Sequence, residues 1–185
     1  MAKIKVIEEE QATGRLKEIY DNLLNSRGKL ASVHKIQSLR PESIVKHMDL
    51  YMEIMYSKSK LSRAERELVA VIVSISNKCD YCQTHHSEAL NKYWKNDGKI
   101  NQLLINYKNV DLTEKEAKLC DFAQLLTITP SLSTDVKYIN ELKQIGLEDE
   151  AILDLVLVIA YFNFVNRIVL SLDVQLEENT EGYKY

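Results

Sequence analysis

A chain of 185 residues with 45% apolar and 28% charged side chains is long enough to bury a core without disulfide staples. Its five glycines and two prolines are too few for the turns of an all-β fold, so one all-α domain over residues 1–185 is expected. A formal net charge of −3 without a block of Lys and Arg argues against nucleic acid. The charged N-terminus and the short apolar run Leu155 to Phe162 argue against a signal peptide or a membrane span, so a cytoplasmic protein is expected.

Leu16, Ile19, Tyr20, Leu23 and Leu24 recur at helical spacing and predict an amphipathic helix over 11–24, ended by Arg27-Gly28. A short helix is expected over 30–39. Pro41 then opens the next, to about Tyr56, because its missing N–H costs nothing in a first turn. Ser62-Arg63-Ala64-Glu65 has the pattern of a capping box and predicts a helix to about Ser76. The run Leu68-Val69-Ala70-Val71-Ile72-Val73 is rich in β-branched residues, yet the cap, the length and the lack of alternation select a buried helix over a strand.

Asn77-Lys78 breaks the apolar pattern, and a helix restarts around Cys79 and runs to about Trp94. Asn96-Asp97-Gly98 predicts a turn, with a short helix over 99–107 after it. Thr113-Glu114-Lys115-Glu116 is a second capping box, whose helix stops before Pro130. Ser133 or Thr134 is expected to cap a further helix to about Ile145, closed by Gly146, since glycine readily takes the left-handed conformation that ends helices. A last helix runs from Glu148 to about Leu176, and the tail Glu177 to Tyr185 is expected to be disordered. The sum is roughly eight helices and no strand.

The chemistry concentrates in Cys79-Asp80-Tyr81-Cys82. Three cysteines, two of them separated by two residues, suggest redox chemistry or a metal in a reducing compartment. On a helix the two sulfurs stand nearly one above the other, and backbone N–H groups at a helix start favour the thiolate. At about 100° per residue His86 falls within roughly 10° of the mean direction of the two sulfurs, whereas His85 falls about 90° away. Spacing thus selects His86 as the imidazole able to take a cysteine proton. Glu67, at the start of an apolar stretch on the preceding helix, needs a partner there, and a histidine on the adjoining helix would supply one.

A zinc site is the rival reading, with Cys79, Cys82 and His86 as ligands and Glu67 or Cys120 as the fourth. Cys120 itself reads as a small buried hydrophobe. His34 and His47 are assigned no chemistry, and Tyr81 would pack as a wall or donate a hydrogen bond.

The arrangement Glu67-x11-Cys79-x2-Cys82-x3-His86 resembles the signature of the alkyl hydroperoxidase D-like (AhpD-like) family within the carboxymuconolactone decarboxylase superfamily. Leu61-Ser62-Arg63-Ala64-Glu65-Arg66-Glu67, Asn77-Lys78-Cys79-Asp80-Tyr81-Cys82-Gln83-Thr84-His85-His86 and Ala160-Tyr161-Phe162-Asn163-Phe164-Val165-Asn166-Arg167 resemble its peroxidase-related branch. The resemblance runs over about 30–176. It implies an all-α AhpD-like helical bundle that assembles into trimers or hexamers and reduces peroxides with a cysteine pair. An external dithiol, such as a lipoylated or thioredoxin-like protein, would recharge the pair, with no cofactor and no metal.

By the same resemblance Cys82 is the attacking sulfur and Cys79 the resolving one, with His86 and Glu67 as the proton relay. One departure stands out: the best-known members carry a histidine between the cysteines, where this chain has Tyr81. A general disulfide oxidoreductase, and a redox-responsive or zinc-binding scaffold without turnover, therefore stay open beside the peroxidase. In each case a surface around Leu155 to Phe164 is expected to join copies of the chain.

Overall fold

The computed structural model describes residues 2–177, which hold nine α-helices and no strand. These are α1 (Gly14–Arg27), α2 (Ser32–Lys35), α3 (Pro41–Tyr56), α4 (Arg63–Ser76), α5 (Asp80–Trp94), α6 (Asp97–Asn106), α7 (Glu114–Ile128), α8 (Val136–Gln144) and α9 (Asp149–Leu172). Single 3-10 turns cover Glu9–Gln11, Tyr107–Asn109 and Pro130–Thr134. The described residues cluster into two compact units, one made of the first 53 residues with those from Arg167 onward, the other of Ile54–Asn166.

In the first unit the periodic face of α1 buries Leu16, Ile19, Tyr20 and Leu23 with Ala12 and with Ile44 of α3. Tyr20 is fully buried and spends its hydroxyl on the Ile7 carbonyl at 2.9 Å, as a buried phenol must. Gly28 ends α1 at φ 78°, a left-handed residue where a side chain would be strained. The Glu177 carboxylate accepts from the Ser32 backbone N–H at 2.5 Å; the rest of the expected tail lies outside the described residues.

In the second unit α4 packs against α5 and α7. All six residues from Leu68 to Val73 are buried, so this helix is apolar all round because it is covered all round. The Ser62 box forms with both bonds: Ser62 Oγ accepts from Glu65 N at 3.2 Å, and Glu65 Oε2 accepts from Ser62 N at 2.7 Å. Ser62→Ala removes one of them and is expected to cost about 1 kcal/mol in urea unfolding.

Several boundaries differ from the sequence reading, and the short helix expected over 30–39 covers only Ser32–Lys35. The helix expected from residue 11 starts at Gly14 behind a 3-10 turn. Asn96 is an N-cap rather than a turn residue, its side chain accepting from Lys99 N at 2.9 Å, so α6 begins at Asp97. Asp135 caps α8 through Lys137 N at 3.0 Å, and Ser133 and Thr134 fall in the preceding 3-10 turn. The last helix stops at Leu172, four residues early, where Asp173 turns to φ 55°.

Residues Leu155, Val158, Ile159 and Phe162 are buried within the chain itself, and the apolar residues α9 leaves exposed nearby are Leu153, Leu157 and Phe164. As a whole α9 is long and apolar enough to cross a membrane by length and composition, with mean hydropathy 1.9 and 44% of that window buried in the protein. Counting uninterrupted apolar residues missed this because Asn163, Asn166 and Arg167 break the run without lowering the average far.

Candidate active site

The loop between α4 and α5 fixes the cysteines. α4 ends in a Schellman motif: Cys79 N donates to Ser74 O at 2.9 Å, and Lys78 N donates to Ile75 O at 3.0 Å. Lys78 takes the left-handed position at φ 56°, a conformation that costs a lysine more than a glycine. The reversal makes Cys79 the N-cap of α5 and places Cys82 in its first turn. Both sulfurs are free, buried and 3.0 Å apart, about 1 Å longer than a disulfide bond.

Their acidities diverge. The Cys82 thiol donating to it draws the Cys79 thiol below its ordinary range against the effect of burial, and the Cys82 backbone N–H helps. The Cys82 thiol is pushed up, first by that hydrogen bond with Cys79 and then by burial. The reduced pair thus favours its first negative charge on Cys79.

His86 and Glu67 are brought together on facing sides of α5 and α4. His86 Nδ1 lies 2.7 Å from Glu67 Oε2, and a carboxylate there requires Nδ1 to carry the hydrogen, leaving Nε2 for proton exchange. The His86 ring also stands edge-on to Phe162, with centroids 4.4 Å apart. Glu67 is fully buried, and its other oxygen accepts from Arg63 Nε at 3.0 Å and from Arg63 Nη2. Burial alone would raise the carboxyl, but His86 and then Arg63 hold it below the usual carboxylate range.

Arg63 is itself fixed by the Met55 carbonyl at 3.0 Å, the Tyr56 hydroxyl at 2.8 Å and the Tyr56 ring, 3.6 Å below its guanidinium carbon. The sequence reading missed Arg63, although its position four residues before Glu67 on one helix face was a usable signal.

Tyr81 is buried and tilts against the His85 ring at 4.6 Å, so the histidine that spacing set aside packs beside the residue between the cysteines. Cys120 is fully buried, with its thiol pushed up by burial, as a small hydrophobe would be. Among the described residues no three His, Cys, Asp or Glu side chains are grouped so as to hold a metal ion. Glu67, one candidate for the fourth zinc ligand, has its two oxygens engaged by Arg63 and His86.

Comparison with known proteins finds other chains with this all-α fold. Residues 45–125 match the carboxymuconolactone decarboxylase family. The fold of the chain is that of an uncharacterised peroxidase-related protein of Ralstonia eutropha JMP134 with an alkylhydroperoxidase AhpD core. That match has a TM-score of 0.85 at 22% identity, covering 97% of this chain and 94% of the other. A second uncharacterised peroxidase-related protein, from Silicibacter sp. TM1040, matches with a TM-score of 0.82 at 25% identity, covering 96% of each chain. The uncharacterised protein YdfG of Bacillus subtilis (strain 168) is 27% identical over 135 residues, 72% of this chain and 89% of that one.

Proposed function

We propose that the chain is a thiol-dependent peroxidase that works through Cys79 and Cys82. The observation that carries this reading is the pair of free sulfurs 3.0 Å apart at a helix start that favours a thiolate. The Cys82 proton passes to Cys79, and the Cys82 thiolate attacks one peroxide oxygen. The O–O bond breaks, the leaving alkoxide takes a proton that His86 Nε2 relays from solvent, and Cys82 becomes a sulfenic acid. Cys79 then attacks that sulfur; its proton leaves with the hydroxide as water, and a disulfide remains. An external dithiol, lipoylated or thioredoxin-like, returns two thiols and is itself oxidised to a disulfide.

The test is stopped-flow mixing of reduced protein with cumene hydroperoxide. One disulfide per peroxide consumed is expected, with loss of consumption in Cys82→Ser. Peroxide consumption that survives Cys82→Ser overturns the assignment. Tyr81, where the best-known relatives have a histidine, favours a second reading, a general disulfide oxidoreductase. It is distinguished by a faster reaction with small disulfides than with peroxides.

The exposed stripe of Leu153, Leu157 and Phe164, at 58%, 40% and 48% exposure, supports assembly of several copies as a trimer or hexamer. Light scattering is expected to give a multiple of the chain mass that falls on Leu157→Glu. A monomeric native protein removes this expectation.

A further inference from the structure

The Glu67 carboxylate is divided between two partners, one oxygen each. Arg63 Nε at 3.0 Å and Arg63 Nη2 both donate to Oε1, while Oε2 lies 2.7 Å from His86 Nδ1. The guanidinium is not free to slide to the second oxygen. Its Nη1 is held by the Met55 carbonyl at 3.0 Å, its Nη2 by the Tyr56 hydroxyl at 2.8 Å, and its face by the Tyr56 ring at 3.6 Å. A planar donor fixed in this way leaves the carboxylate one orientation, with Oε2 toward His86. Cation, anion and imidazole therefore follow one another in direct contact. Glu67 has no exposure and the Arg63 and His86 side chains have 14% and 15%, so water and salt screen these charges little.

The other groups around His86 are placed differently. Arg66, also on α4, spends its Nη1 on the Ile54 and Ser57 carbonyls at 3.0 and 3.2 Å, and Asp154 and Tyr93 feel its charge as well as Arg63 and Glu67. Cys82 lies one turn before His86 on α5, and Phe162 of α9, edge-on to the imidazole, carries no charge. Lys115 of α7 is paired with Glu65 at 2.6 Å. Helix α6 meets α5 more than a turn beyond His86, where Asp97 accepts from Asn91 at 2.6 Å and Lys99 covers the Trp94 ring. Arg63 is the cation bound to the very carboxylate that holds His86.

We propose that Arg63 sets the proton affinity of His86 by cancelling the charge of Glu67. The inference deepens the reading of His86 as the proton relay and rests on it. An imidazolium facing an uncancelled buried carboxylate gives up its proton reluctantly. With the guanidinium on Oε1, Glu67 still orients the ring through Nδ1–H but does not lock a proton on Nε2, the atom that must both take and give one. Arg63 is thus a positioning residue, acting through Glu67 rather than on the reacting atoms.

The test follows the His86 Cε1–H resonance against pH in the reduced full-length chain. Arg63→Gln, neutral but still able to donate, is expected to raise the midpoint by about 1 unit. A proton that settles on Glu67 instead moves the same midpoint, because the two groups titrate as a pair. Arg63→Lys restores the charge without the planar fork and is expected to return the midpoint to within about 0.3 unit of the native one. A purely structural role predicts the same midpoint shift, or none, in both variants. An unmoved midpoint in Arg63→Gln, or equal shifts in the two, overturns the proposal. Should Arg63→Gln not fold, the comparison is made with Glu67→Gln, since removing both charges leaves neither buried alone. The Arg63→Gln/Glu67→Gln protein is then expected to titrate about 1 unit above Glu67→Gln, and equal midpoints overturn the proposal. No peroxide enters these measurements. A raised midpoint in a protein that consumes no peroxide leaves Arg63 in its role and removes the peroxidase; peroxide consumption with an unmoved midpoint does the opposite.

Discussion

Glu67→Ala is expected to destabilise the protein by about 3–5 kcal/mol, the cost of breaking a buried ion pair from one side. The carboxylate has no exposure, while the Arg63 side chain it neutralises is 14% exposed and cannot reach bulk water without leaving Met55 and Tyr56. His86 loses its Nδ1 acceptor at the same time, so its ring is no longer held in one tautomer. Glu67→Gln separates the two consequences. It keeps the shape and an oxygen for Nδ1–H, so the stability loss should fall to about 1–2 kcal/mol, while proton transfer through His86 is still impaired because the negative charge is gone. Urea unfolding measures the first effect and the peroxide assay the second. A Glu67→Ala protein as stable as the native one would show that Arg63 and His86 find other partners. The lowered carboxyl adds a pH signature: its stabilisation is present above the ordinary value of 4.5 and is lost as pH falls through the folded value below it.

Much of the fold was legible because its signals are local. Ser62 and Thr113 each carry a glutamate three residues on, and both boxes form; Pro41 and Gly28 punctuate where their backbone preferences dictate. The misread starts of α6 and α8 share one cause, since Asn96 and Asp135 cap helices as well as serine or threonine does, and glycine at Gly98 suggested a turn instead. Within the site, Cys79, Cys82 and His86 share one helix face, and periodicity alone selects His86 over His85. Glu67 needed the neighbouring helix as well. The bonds from Asn77 to Asn163 and Asn166 were not legible, because they span 86 and 89 residues, although Asn163 and Asn166 share one face of α9. Polar residues interrupting an apolar helix were the available hint. The order of charge in the cysteine pair depends on which thiol donates, and sequence carries no record of that.

Lowering the pH from 6.5 toward 4 is expected to remove about 3 kcal/mol of stability through His47 alone, at about 1.4 kcal/mol per pKa unit. This histidine on α3 is 5% exposed, and burial pushes its pKa down from 6.5 to about 4. Gln37 Nε2 lies 2.8 Å from its Nδ1; with the amide donating, that nitrogen accepts and cannot also hold a proton. The His34 ring packs edge-on at 5.5 Å. Below pH 6.5 the unfolded chain takes a proton at His47 that the folded chain refuses until about pH 4, so folding loses ground steadily across that window and no further below it. Above 6.5 the group contributes no pH dependence. The Glu67 loss begins only below 4.5, so between 6.5 and 4.5 His47 acts without it. His47→Gln is neutral throughout and should flatten the urea-unfolding free energy over that interval. A slope that persists unchanged in His47→Gln would place the acid sensitivity elsewhere.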